Sequence, residues 1–240
     1  MLRCIIALLA WLTSSALVLG AEAGKPTDFV SVMGPIMDNL RSAASYARTG
    51  SIALAQMETD AAATTWKRLE PNASGPLPAY APAALAEFLG DGGERLAAAT
   101  RALDGGDNVA AGRELLALRR SFHELRRRSG LYDLGDCVFE IAPAMEKLRV
   151  AATRYGQQPA QAYAEETVAA ASAFRDRLQR CNEWASTEIA GQGEFRRLID
   201  GAIASSGEIA HAAMAGEGPL VHRYLIELQS YAQLLDFRYG

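Results

Sequence analysis

An internal repeat constrains the fold of this chain more than any other feature. Residues 35–44 (PIMDNLRSAA) align with residues 143–152 (PAMEKLRVAA), and RELLAL at 113–118 aligns with RYLIEL at 223–228. The offset stays at about 106–110 residues along the chain, and a repeat of this length indicates an array of folding units. The sequence therefore predicts two similar units in tandem.

Each unit has the apolar spacing of helices. Alanine is abundant and β-branched runs are scarce, which favours helix over strand. In the first unit, breaks at TGS (49–51), the Pro-rich link 71–82 and DGGDN (104–108) separate the periodic stretches. Predicted helices cover about residues 28–48, 52–70, 83–103 and 109–128. We predict an all-α protein of two tandem antiparallel four-helix bundles, residues 24–133 and 134–240.

The N-terminus has the pattern of a signal peptide, residues 1–23. Arg3 precedes the apolar stretch 4–20, and Ala21-Glu22-Ala23 forms a small-x-small cleavage site. The alternative is an uncleaved membrane anchor, which the polar residues 13–15 (TSS) disfavour. No later segment is apolar enough to span a bilayer. We therefore expect the chain to be exported to the periplasm and, once the signal peptide is cleaved, not to associate with a membrane.

The charge pattern and the motifs exclude several functions. The net charge of −4 gives no support for nucleic-acid binding, and the basic run 126–128 is too short to change this. Nucleophile elbows, zinc-protease motifs, phosphate loops and dinucleotide fingerprints are absent from the sequence. We therefore expect a protein without enzymatic activity. A periplasmic redox partner or another protein partner, and a homodimer, are left open.

Two cysteines remain after the leader, with its Cys4, is removed. Cys137 and Cys181 lie about twenty residues before and after the turn expected near Gly156–Pro159, which brings them to the same end of an antiparallel helix pair. The periplasm is oxidising, so we predict a structural disulfide. The alternative is a metal-binding or redox thiol pair, although the sequence has no C-x-x-C motif.

His123 is the histidine with the most informative surroundings. Arg119 and Arg127 lie four residues before and after it, so the three side chains share one helix face. A lone histidine on a helix is usually structural or solvated.

The segment RRSFHELRR (119–127) resembles the end of the last helix in the four-helix-bundle cytochromes. The c-prime branch carries C-x-x-C-H there, but this chain has Arg119 and Phe122 at the cysteine positions and cannot attach haem covalently. The soluble b-type branch carries Arg-x-x-aromatic-His-x-x-x-Arg, which Arg119, Phe122, His123 and Arg127 match. Its methionine motif, Met-x-x-x-x-Asp-Asn-Leu, matches residues 33–40.

This resemblance covers the helix pattern of nearly the whole chain and is specific in those two segments. It implies haem b bound without covalent bonds, with Met33 and His123 as axial ligands and Arg119 and Arg127 pairing with the propionates. Pro35 suits a first helical turn, which would leave Met33 near the helix start and make Met37 a substitute ligand. The implied function is that of a periplasmic electron carrier.

Two other functions remain open. Met33 and Met37 also lie on an apolar stripe that could belong to a packed core, and the second unit has Ile141 and Gln233 where the first has Met33 and His123. The chain could then be a haem-free descendant that serves as a binding or scaffold module. Separately, Glu208, His211 and Met214 share a helix face, as the ligands of a copper site could.

Overall fold

The computed structural model describes residues 29–72 and 80–240, so the signal peptide expected at 1–23 lies outside the described residues. Within them the chain is all-α, as predicted, and forms no strand. The helices are α1 (Phe29–Arg48), α2 (Ile52–Asn72), α3 (Pro82–Asp104), α4 (Asn108–Arg128), α5 (Leu134–Phe139), α6 (Ile141–Gln157), α7 (Gln161–Trp184), α8 (Thr187–Ala190), α9 (Gly193–Met214) and α10 (Gly218–Tyr239).

The helices pack in two consecutive groups of four. In the first group α1 contacts α2 and α4, and α3 contacts the same two helices. In the second group α6, α7, α9 and α10 repeat this arrangement. Short turns join most neighbours, so successive helices run antiparallel, and this is the packing expected of two tandem bundles. Each group encloses its own apolar core, around Leu40 and Leu118 in the first and Leu148 and Phe174 in the second.

The duplication also holds at the turns. Gly106 and Gly216 end equivalent helix-to-helix turns, and their φ angles are +78° and +79°. A residue with a Cβ is strained at such angles, whereas glycine is not. The repeat therefore preserves the residue that each turn needs.

The third helix of each group carries a glycine on which an aromatic ring packs. A Cβ on Gly92 would lie 2.2 Å from Cζ2 of Trp66, and one on Gly201 would lie 2.7 Å from the hydroxyl of Tyr231. Trp66 is 2% exposed, so its ring has little room to move. The missing side chain lets the ring lie against the helix backbone.

We expect Gly92→Ala to lower the free energy of unfolding by about 1–3 kcal/mol, because the added methyl group overlaps the ring of Trp66. The matched control is Gly90→Ala on the same helix, where nothing lies within 4 Å of the added Cβ. It should raise stability by up to about 1 kcal/mol, the difference in helix propensity. Urea denaturation of the two variants checks this, and equal effects would contradict the packing argument.

Two short helices were not predicted from the sequence, and one of them matters for the site. The cysteine argument placed Cys137 on the helix that ends near Gly156, but α5 ends at Phe139 and a separate helix, α6, begins at Ile141. Pro143 thus stands in the first turn of α6, whereas its counterpart Pro35 lies inside α1 and Met33 lies within that helix rather than before it. Glu140 alone separates the two helices, and α5 contacts α7 and α10.

Cys137 and Cys181 form a disulfide, with their Cα atoms 5.4 Å apart. Both cysteines are fully buried. The pairing is the one predicted, but Cys137 lies on the separate helix α5 instead of on a continuation of α6. The bond therefore fastens α5 to α7. No helix in the described ranges is long and apolar enough to cross a membrane.

Candidate functional site

A cleft of about 230 Å³ lies where the two groups of helices meet. The N-terminal half of α1 and the C-terminal half of α4 form its walls on one side, and α5 and Gly240 form them on the other. The apolar side chains that line the cleft are those of Met33, Met37, Phe122 and Phe139. The cleft is therefore shared between the two units.

Three of the four residues that the sequence assigned to a haem site line this cleft together. Met33, Arg119 and His123 contribute to its surface, as does the substitute ligand Met37. Arg127 is not among the lining residues. It pairs with Glu124 at 2.8 Å, on an outer face where 59% of its side chain is exposed.

Both ring nitrogens of His123 face carboxylates of the second unit. Nδ1 lies 3.0 Å from Oδ1 of Asp136, and Nε2 lies 3.3 Å from Oε1 of Glu140. The ring of Phe139 lies 5.3 Å from the imidazole ring, between centroids. The histidine is thus enclosed by α5 and the residue that follows it.

Asp136 is held in place from three sides. It completes a capping box with Asp133 at the start of α5, in which its carboxylate accepts the backbone N–H of Asp133 at 3.0 Å. Its other contacts are His123 and Nε of Arg126, at 2.9 Å, and only 4% of its side chain is exposed. Burial opposes the charge on Arg126, but the hydrogen bond to Asp136 and the nearby charge of Asp133 raise the pKa of Arg126 above its usual value.

Glu140 connects His123 to the second unit. Besides the imidazole, it accepts a hydrogen bond from the hydroxyl of Tyr132 at 3.0 Å and pairs with Arg177 at 2.5 Å. Burial and the charge of Glu140 raise the pKa of Tyr132 to about 12, so this hydroxyl stays protonated and donates. The carboxylate therefore has partners on α4, on the link before α5 and on α7.

Arg119 also crosses between the two units. It is 2% exposed, and its terminal nitrogens donate to both oxygens of Asp236 on α10, at 2.9 and 2.7 Å. Its guanidinium carbon lies 5.3 Å from the ring centroid of Phe139. A bidentate pair of this kind is a strong and directional contact.

The residues present do not fit a haem in this arrangement. The cleft of about 230 Å³ is smaller than the roughly 300–1,000 Å³ of pockets for drug-sized ligands, and a porphyrin with its propionates is larger still. Each nitrogen of His123 faces a carboxylate, so none is free to bind iron. The terminal nitrogens of Arg119 are occupied by Asp236 rather than directed at a propionate site.

Two buried hydrogen-bonding atoms on residues of the cleft have no partner at hydrogen-bonding geometry among the described residues. They are the hydroxyl of Tyr80 and Nε of Arg119. Tyr80 is 5% exposed, and burial raises the pKa of its hydroxyl, while the charge of Arg126 and a weak hydrogen bond from its guanidinium group act in the opposite direction. Buried polar atoms without a partner are rare in native proteins. Both atoms are fully buried, so neither can be reached from the cleft in this arrangement.

The residues of the copper hypothesis lie on the surface. Glu208, His211 and Met214 are all exposed on the outer face of α9, and His222 is exposed on α10. In the described part of the chain no three His, Cys, Asp or Glu side chains are placed to hold a metal ion.

Sequence reasoning missed several residues of the cleft. Asp136 follows Asp133 at the spacing of a capping box, and this signal could have revealed the start of α5. Phe139 and Tyr80 have no such signal. Tyr80 stands in a Pro-rich link, and the approach of Phe139 to α4 depends on how the two units pack.

Comparison with known proteins adds no relationship to this site. No protein-family model matches the sequence, and neither the curated proteins nor the solved structures contain a match.

Proposed function

We propose that this chain is a haem-free binding module of the periplasm, built on a duplicated four-helix scaffold, that holds a small ligand in the cleft between its two units. The observation that carries this proposal is the cleft of about 230 Å³ between the two units. Its walls include the apolar side chains of Met33, Met37, Phe122 and Phe139, and its charged groups are paired with one another. A cleft with mainly apolar walls suits a small, largely apolar ligand.

Binding is favoured over catalysis because the polar groups of the cleft are already paired with one another. Asp136 is engaged by Arg126 and His123, and Arg119 is engaged by Asp236. A catalytic acid or base needs a proton that it can exchange with a substrate. Here these groups hold the two units together instead.

The haem-free alternative is also favoured over electron transfer. The resemblance to the b-type cytochromes places Met33 and His123 at one cleft, but α5 brings Asp136 and Phe139 onto the histidine. On this proposal the second unit closes the slot that a haem would occupy in a b-type cytochrome, and it leaves a smaller space. The periplasmic location rests on the leader pattern of residues 1–23.

An absorption spectrum of the mature protein, before and after titration with haemin, tests the haem-free part. We expect no Soret band in the purified protein, and no spectral difference between the wild type and His123→Ala during the titration. A sharp Soret band with a low-spin α-band, lost in His123→Ala, would overturn the proposal in favour of a b-type cytochrome.

Methyl NMR tests the binding part. In protein labelled with ¹³C at the methionine methyl groups, Met33 and Met37 report on the cleft, whereas Met57 and Met214 are exposed elsewhere and Met145 lies in the second core. Small aromatic probes of different charge are added one at a time: toluene, acetophenone, benzoate and benzylammonium. Saturable shifts confined to Met33 and Met37 with at least one probe support the proposal, and none with any probe would contradict it.

A further inference from the structure

We infer that the exposed face of α4 binds an acidic, amphipathic segment of a partner protein. Apolar side chains of that segment would lie against Val109 and Leu116, and its carboxylates would pair with the arginines beside them. This surface is separate from the cleft between the two units, so the inference goes beyond the proposed function.

Four residues of α4 form a stripe along the surface of the helix. They follow one another at intervals of four, three and four positions, which places them on one helix face: Val109, Arg113, Leu116 and Arg120. All four are exposed, and the exposed fractions of Val109 and Leu116 are 72% and 41%. The α4 stripe therefore presents apolar and cationic side chains in alternation.

The arginines of the α4 stripe have no ion-pair partner within the described part of the chain. The other four arginines of the helix do pair with carboxylates, namely Arg119, Arg126, Arg127 and Arg128. Arg48, at the end of α1, is also exposed and also forms no ion pair there, although it donates to Oγ of Ser45 at 3.5 Å. Since the whole chain has a net charge of −4, this cationic face is a local feature, complementary to carboxylates of another molecule.

A groove of about 400 Å³ runs beside the α4 stripe. The C-terminal half of α1, the N-terminal half of α4 and the C-terminal half of α10 line it, whereas the cleft lies at the opposite halves of α1 and α4. Val109, Leu116 and Phe237 contribute apolar side chains to the groove, and Arg48 contributes a charged one. A bilayer surface cannot enter such a groove, but side chains of a docked helix can, so the geometry favours a protein segment over a membrane.

The duplication supplies an internal comparison for this surface. The positions on α10 that align with residues 113, 116 and 120 hold Arg223, Ile226 and Ser230. Ile226 is 50% exposed, much as Leu116 is, but a serine stands in place of the second arginine. The second unit therefore keeps the apolar part of the surface with less charge, and its residues serve as matched controls.

Fluorescence anisotropy of a labelled peptide, titrated with the mature protein, tests the inference. The probe is a peptide of about 14 residues with leucines on one helical face and glutamates on the other, which is long enough to cover the roughly 16 Å from Val109 to Arg120. A second peptide carries lysine in place of glutamate. We expect saturable binding of the acidic peptide, about tenfold tighter than that of the lysine peptide, and weaker binding as sodium chloride is added, because salt screens exposed charges.

Two pairs of variants locate the binding surface. Arg113→Glu should weaken binding of the acidic peptide about tenfold, because it replaces an attractive charge by a repulsive one. Arg223→Glu changes the net charge by the same amount at the equivalent position of α10 and should leave the affinity unchanged. Leu116→Ser should weaken binding about fivefold, since it removes apolar contact area, and Ile226→Ser should not. Circular dichroism verifies that all four variants are folded.

The outcomes that contradict the inference are distinct. Equal losses in Arg113→Glu and Arg223→Glu would mean that the peptide responds to the overall charge of the protein and not to the α4 stripe. Equal affinities for the two peptides would overturn the acidic character of the partner, and no saturable binding of the acidic peptide would overturn the inference as a whole. If the protein instead sedimented with phosphatidylglycerol vesicles, and Arg113→Glu abolished this, the stripe would be a surface for an anionic membrane.

Discussion

Replacing Cys137 and Cys181 together by alanine is expected to lower the free energy of unfolding by about 4 kcal/mol. The disulfide joins residues separated by 44 positions, and closing a loop of that length in the unfolded chain removes about this much conformational entropy. Both cysteines are fully buried, so alanine is preferred to serine because it adds no buried hydroxyl group. Urea denaturation of the mature protein measures the loss.

Wild-type protein reduced with dithiothreitol is the control for this variant, and it should unfold at nearly the same urea concentration. A loss below about 1 kcal/mol in both samples would contradict the claim that the disulfide stabilises the fold by constraining the unfolded chain.

The loss of the disulfide should destabilise one part of the fold more than the rest. The bond fastens α5 to α7, so hydrogen exchange should accelerate more at the amides of α5 than at those of α3, which contains no cysteine.

The sequence predicts those parts of the fold that depend on a single segment of the chain. The main helices follow from apolar spacing within one segment, and their predicted bounds lie within about two residues of the observed ones in the first unit. The pairing of Cys137 with Cys181 was predicted because only these two cysteines follow the leader and lie equally far from one turn, although the continuous helix that this argument assumed is broken at Glu140. Neither argument needs information about how the two units meet.

The environment of His123 could not be derived in the same way. The resemblance to the b-type cytochromes assigned Met33, Arg119 and His123 to one haem site, and the structure brings these three residues to one cleft. The groups that occupy the histidine, Asp136 and Glu140, come from the start of the second unit. Their approach depends on a break in the helix at Glu140, and apolar periodicity does not encode such a break.

The second large effect is expected at Asp136. Asp136→Ala should lower the free energy of unfolding by about 3 kcal/mol, because it leaves Arg126 without its buried partner and removes one half of the capping box of α5. We place the loss at the lower end of the range for broken buried pairs, since 15% of the Arg126 side chain is exposed and water can reach it. The measurement is urea denaturation at neutral pH.

Glu146→Ala is the matched control for Asp136→Ala. Glu146 also accepts hydrogen bonds from an arginine, Arg149, but both side chains are largely exposed, so the unfolding midpoint should hardly change. A double substitution, Asp136→Ala with Arg126→Met, removes both charges and should be less destabilising than the sum of the two single changes. If the losses in stability were strictly additive, Asp136 and Arg126 would not stabilise each other.

The same variant links stability to the proposed function. Asp136 lines the cleft and holds α5 against α4 through His123 and Arg126. If the second unit is what closes the slot against haem, Asp136→Ala should bind haemin at least tenfold more tightly than the wild type, and His123→Ala added to it should abolish that gain. An affinity for haemin unchanged in Asp136→Ala, in protein that circular dichroism shows to be folded, would mean that the fit of α5 onto the histidine is not what excludes haem.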